Sequence, residues 1–192
     1  MTLGLILTAV VVAVIVLVFL LAKLQRDSAW RHLASDLGAE FIDGGLFHSS
    51  KVQAHVQHGI VTLDTFSVSD GDTSTTYTRL RSPLQKKDGF QFTLMREGLL
   101  LGKLEKALGG RELQIGVPDF DRDFIIQGTN ETKLRALLAD AKLRQMIQGQ
   151  RSINLRLKGD ELHFDAKGVI KDVPRLKSLF ELFGELLSRL QA

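Results

Sequence analysis

Cysteine is absent from the 192 residues, which excludes structural disulfides in any compartment and removes a thiol nucleophile. No serine stands in a Gly-x-Ser-x-Gly setting, the turn that exposes a hydrolase nucleophile. A basic excess is also missing. Of the 25 basic residues, Lys23 and Arg26 precede residue 27, and all 22 acidic ones lie from Asp27 onward, so the rest of the chain is nearly balanced. A nucleic-acid footprint would cluster Lys and Arg on one face among aromatics. The short basic runs here, Lys86-Lys87 and the Arg79/Arg81 pair, are explained by a solvated loop and a strand, and no nucleic-acid partner is expected.

What the chain does have is one unbroken apolar run, Leu3 to Ala22, without a charge. At about 1.5 Å per helical residue its twenty residues match the ~30 Å hydrocarbon core of a bilayer. A cleaved signal peptide would carry a basic n-region, a shorter apolar stretch and a small-residue cleavage site. Only Met1 and Thr2 precede this run, and Ala22-Lys23-Leu24 lacks the A-x-A spacing, so a retained single-pass signal anchor is expected. A buried core helix fits poorly, because Val and Ile surround the helix on all sides. Lys23, Arg26 and Arg31 follow at once. By the positive-inside rule they place the following domain in the cytoplasm, at a bacterial inner membrane. The expected organisation is an anchor with its basic flank (1–26) and a soluble domain (27–192), with possible sub-blocks 27–110 and 111–192.

Asp27 or Ser28 can cap a helix through Leu37, with Gly38 as its stop. Trp30 suits either the core or the membrane interface. From Phe41 to Arg96 apolar residues alternate, with turn signals at His58-Gly59 and Ser69–Asp72. This predicts an antiparallel meander of four or five strands with one apolar face. A helix is expected over 99–108, then two short strands near 113–116 and 123–127. Thr129 or Asn130 should cap a helix reaching Ile147. Residues 153–166 read as a hairpin turning at Gly159-Asp160. A terminal amphipathic helix begins near Pro174, with Leu176, Leu179, Phe180, Phe183, Leu186, Leu187 and Leu190 as its stripe. The fold class is α+β: an N-terminal transmembrane helix, then an antiparallel sheet with helices on one face, in one or two sheet blocks.

No segment carries a decisive catalytic or cofactor motif, so neither catalytic residues nor a cofactor are assigned. Asp119, Asp121 and Asp123 resemble the first half of a calcium loop, whose alternate carboxylates converge on a hard cation. The loop's sixth and twelfth positions would need Gly and Glu but hold Phe124 and Asn130. The aspartates are weak metal candidates, and a turn entering a strand, with Phe120 and Phe124 buried, explains them better. His48, His55 and His58 crowd one region, but an odd spacing puts His55 and His58 on opposite strand faces. His32 and His163 are isolated. Gly98–Lys103 falls one residue short of a phosphate loop and lacks the following Ser or Thr. Asn130-Glu131-Thr132 reads as a helix cap, not a sugar acceptor.

The segment from Gly116 to Ile126, containing Pro118-Asp119-Phe120-Asp121 and Phe124, precedes a capped helix with Leu137-Leu138. This arrangement resembles a pattern in bacterial proteins of unknown function that also begin with a hydrophobic anchor. The resemblance covers about residues 113–167 and implies architecture only. The expected function is a non-enzymatic, membrane-anchored interaction or accessory domain with a membrane-protein partner. Alternatives are a lipid or apolar ligand held between the sheet and the terminal helix, and a metal-dependent hydrolase built on the three aspartates.

Overall fold

The computed structural model describes residues 2–45, 48–84, 88–96 and 112–191. Its first element, α1 (Thr2–Leu37), is one uninterrupted helix that leads from the apolar run into the body of the protein. No separate helix begins at Asp27 or Ser28. Neither glycine nor proline occurs between Gly4 and Gly38, and Leu24-Gln25-Arg26 are good helix formers. Asp27 therefore does not cap. Its carboxylate accepts from Lys23 one turn earlier, at 2.6 Å. The helix stops where expected, at Gly38 with φ 61°.

The chain continues through β1 (Glu40–Ile42), β2 (Lys51–Val56), β3 (Gly59–Asp70), β4 (Thr73–Pro83) and β5 (Phe92–Arg96). Next come α2 (Pro118–Asp123), β6 (Phe124–Gly128), α3 (Glu131–Leu138) and α4 (Ala141–Gln148). The hairpin β7 (Asn154–Lys158) and β8 (Glu161–Lys167) precedes α5 (Val173–Gln191). All strand pairings are antiparallel, in the order β1-β2-β3-β4-β8-β7-β5-β6. The α+β class stands, but two sheet blocks do not form. β8 pairs with β4 and β7 with β5, so the late hairpin is inserted between strands of the early meander.

Three local expectations also change. Residues 118–123 are helical, and only Glu112 bridges to Gln127 where a strand near 113–116 was expected. The helix capped by Asn130 ends at Leu138, and Asp140, accepting from the Leu143 amide at 2.8 Å, starts a second one. The helix expected over 99–108, the Gly98–Lys103 segment and Lys86-Lys87 lie outside the described residues.

Pleating accounts for the core. One cross-strand row runs through all eight strands: Phe41, Val52, Leu63, Leu80, Phe164, Leu155, Leu94 and Ile126. All are buried except Phe41, which is half-buried and packs against the core. α1 contributes Trp30, Leu33 and Ala34 to this core. α5 buries the whole expected stripe and Leu182 besides. Its cap is Asp172, which accepts from the Arg175 amide at 3.1 Å. The stripe of α5 thus fills the space under most of the helix with protein side chains.

Phe164→Ala, at the centre of the row, is expected to cost about 3–5 kcal/mol in urea unfolding. Phe183→Asp should unfold the protein outright, seen as lost near-ultraviolet dichroism, because a carboxylate would replace a fully buried ring.

Candidate functional site

Shifted by one residue, the same pleat builds a second row on the opposite face: Glu40, Gln53, Thr62, Arg81, His163, Arg156, Thr93 and Gln127. Asp64, Arg79 and Asp165 form the neighbouring row. An antiparallel sheet commonly keeps such a polar face. Here the centre of that face is charged. Arg79 holds Asp64 in a two-pronged pair at 2.8 and 2.9 Å. Arg81 lies 3.4 Å from both Asp64 and Glu161, and Glu161 lies 3.1 Å from His163. Arg156 bonds Asp165, which is 2% exposed.

Among the described residues, several buried polar atoms on this face have no hydrogen-bond partner: Asp165 Oδ1, Asn154 Oδ1 and Arg156 Nε. Left without water or another partner, each such atom would cost roughly 1–3 kcal/mol. Burial pushes the Asp165 carboxyl above the usual carboxylate range, against the pull of Arg156. Burial likewise lowers the His163 pKa, against the pull of Glu161 and Asp165, while Arg156 and Arg79 add to the lowering. The Asp64 hydrogen bond keeps Arg79 firmly charged. The face offers spaced arginines and carboxylates for polar recognition. The sequence reading passed over it, although Arg79/Arg81 and Glu161/His163/Asp165 each follow the two-residue repeat.

The expected metal candidates go elsewhere. Asp121 accepts from the amides of Ile115, Gly116 and Val117 at 2.8, 2.9 and 3.0 Å. Asp119 and Asp123 pair with Arg122 at 3.1 and 3.3 Å. Phe120 and Phe124 are buried, with rings 4.5 Å apart. His48 and His55 are exposed, while His58 falls in the β2–β3 turn and escapes strand parity. Among the described residues no group of three or more His, Asp or Glu could hold a metal ion.

A second feature lies where α1 enters the domain. Trp30 is fully buried and its indole donates to the Ile170 carbonyl at 3.0 Å, so it is a core residue, not an interfacial one. The basic flank is stitched to acidic groups. Lys23 reaches Asp27 and Asp43 at 2.6 and 3.5 Å, and Arg31 reaches Asp43 at 2.7 Å. The Gly45 amide, with Lys23 and Arg31, keeps the Asp43 carboxyl below its usual range. Below this junction the apolar part of α1 is unburied, long enough and apolar enough to cross a membrane. At the opposite end of the sheet opens a cleft of about 1360 Å³, lined by His58, Ile60, Phe90, Lys133, Leu137 and Arg189 among others. Lys133 pairs with Asp88 at 2.7 Å and Arg189 with Asp140 at 3.1 Å.

A crystal structure of the mycobacterial trehalose monomycolate transport factor A, TtfA, has a similar fold. The match has a TM-score of 0.53 and 9% identity, and covers 86% of this chain and 94% of that one. At this identity the likeness shows the fold alone. No family model and no curated protein matches the chain, so the resemblance over residues 113–167 has no family model behind it.

Arg156→Ala should cost about 3 kcal/mol or more by leaving Asp165 buried and unpaired, and adding Asp165→Asn should restore part of that. For His163, the folded protein resists a proton that the unfolded chain accepts near pH 6.5. Its contribution is intact at higher pH and declines as pH falls through about 6.5 towards the lowered folded pKa. Urea melts of His163→Gln should show that decline reduced.

Proposed function

We propose that this chain is a single-pass, non-enzymatic accessory domain held at the cytoplasmic face of a bacterial inner membrane, where it engages a membrane-protein partner. The continuity of α1 carries this reading. Only Lys23–Arg26 separate the apolar run from the buried Asp27, so about 6 Å of helix lies between bilayer and domain. A domain mounted in this way keeps one height and one orientation. Tethering also raises its effective concentration towards neighbours in the same membrane. The Lys23/Arg26/Arg31 flank supports the cytoplasmic placement. The similar fold of a transport factor supports an accessory role at a membrane.

A second reading, binding of a lipid or other apolar ligand, draws on the distal cleft, where Ile60, Phe90 and Leu137 lie beside Lys133 and Arg189. The name of TtfA, a trehalose monomycolate transport factor, lends it support. Its position at the end of the sheet far from the anchor counts against direct exchange with the bilayer.

His55 is exposed on β2 and the chain has no cysteine, so His55→Cys provides a single label site. A membrane-impermeant maleimide should label it only after the cells are opened, and the protein should stay with membranes in alkaline carbonate. Labelling of intact cells, or release by carbonate, would refute the proposal.

A further inference from the structure

The β3–β4 hairpin outruns the sheet. β2 pairs with β3 from Gly59 to Leu63, and β8 pairs with β4 from Thr78 to Pro83. The residues between continue as a two-stranded arm, paired with each other down to Asp70 and Thr73. At its base Gly168 bridges to Tyr77. Past that bridge, residues 67–74 are exposed, and neither outer edge has a strand neighbour among the described residues. The arm is nonetheless stiff. The Phe66 and Tyr77 rings stack 5.3 Å apart, Arg79 sits 5.1 Å over Phe66, and the Ser67 and Thr76 hydroxyls meet at 3.1 Å. Gly71, with φ 61°, occupies the first turn position, where a two-residue hairpin needs a positive value.

This arm points back towards the bilayer. Ser50, at the start of β2, lies beside Arg26, and Asp43 beside Lys23, so this end of the sheet faces the anchor. β2 and α5 both run away from it, since the β2–β3 turn and the end of α5 meet at the distal cleft. β3 therefore runs back towards the membrane. Heights follow from two hydrogen bonds at Ile170, whose carbonyl accepts from Trp30 and whose amide donates to Thr78. Trp30 stands eight residues above Ala22, or about 12 Å along the helix. From Thr78 to Gly71 the strand covers about 23 Å. The arm is long enough to bring its tip to the membrane surface even when steeply tilted.

We infer that this arm docks on a basic juxtamembrane segment of an integral membrane protein in the same bilayer, a conclusion that rests on the cytoplasmic placement proposed above. The tip carries Asp70 and Asp72, and no basic residue occurs between Phe66 and Arg79. Cytoplasmic loops next to membrane spans are enriched in Lys and Arg, so the charges are complementary. The unpaired outer edges can accept an extended segment as an added strand. Lipid is the poorer occupant: Val68 is the one large apolar side chain at the tip, and anionic headgroups repel both aspartates.

Ser69→Cys places one donor fluorophore at the tip of the full-length protein. It is reconstituted in phosphatidylcholine vesicles with an acceptor-labelled single-span peptide flanked by either lysines or glutamates. Energy transfer should show roughly tenfold tighter association with the lysine-flanked peptide, and this preference should vanish in high salt or with Asp70→Lys/Asp72→Lys. The charge-reversed protein should melt at the unaltered temperature, since both positions are exposed. Equal transfer to the two peptides overturns the inference. So does a tip that moves onto peptide-free phosphatidylglycerol vesicles while ignoring the lysine-flanked peptide, which would make lipid the occupant. Maleimide labelling of His55→Cys in intact cells would overturn the cytoplasmic placement and the basic partner together. Labelling only after lysis, combined with equal transfer, overturns the docking alone.

Discussion

Every other feature of this fold depends on the strict alternation of side chains across eight paired strands. A slip of one residue in any strand would carry its apolar set to the charged face. Phe164 shows how tightly the two faces are bound together. It lies between Leu80 and Leu155 in the apolar row, while its chain neighbours His163 and Asp165 sit among arginines on the other side. α1 and α5 cover the apolar face, and the ion pairs occupy the polar one. Register, core and charged cluster are therefore consequences of the same pairing.

That dependence decides what could be read from the residues alone. The apolar run, the Gly71 and Gly159 turns, the stop at Gly38 and the stripe of α5 are local signals, and the structure follows them. Pairings between distant segments leave no such trace. Nothing local tells β5 to sit beside β7, or β8 beside β4. Asp27 looks like a helix cap because Asp caps helices, yet Lys23 one turn earlier gives its carboxylate a partner within a continuing helix. The break at Asp140 was missed for the opposite reason: an ordinary residue, without Gly or Pro, supplies a new cap. The charged face was half visible. Arg79 and Arg81 share a strand face by spacing, but Glu161, which pairs with Arg81, comes eighty residues later.

The functional reading comes from how the domain is mounted. Trp30 belongs to the core, the apolar run is long and apolar enough to cross a membrane, and a single helix joins them without a loop. In the membrane placement proposed above, such a mount turns the domain's internal geometry into geometry relative to the bilayer. On that reading the charged sheet face and the β3–β4 arm hold fixed positions, the arm reaching down beside the anchor and the cleft facing away. A similar fold in a transport factor, at 9% identity, shows that this architecture is shared by distant sequences and leaves the chemistry of its surfaces to each of them.

Backbone hydrogen exchange of the full-length protein in lipid nanodiscs, followed over residues 20–37, tests the continuous mount most directly. The account predicts slow exchange through Lys23–Ala29, at the level of the buried turn around Leu33. Rapid exchange confined to Lys23–Ser28, between two protected segments, would reveal a hinge and contradict a domain held in one orientation on the membrane.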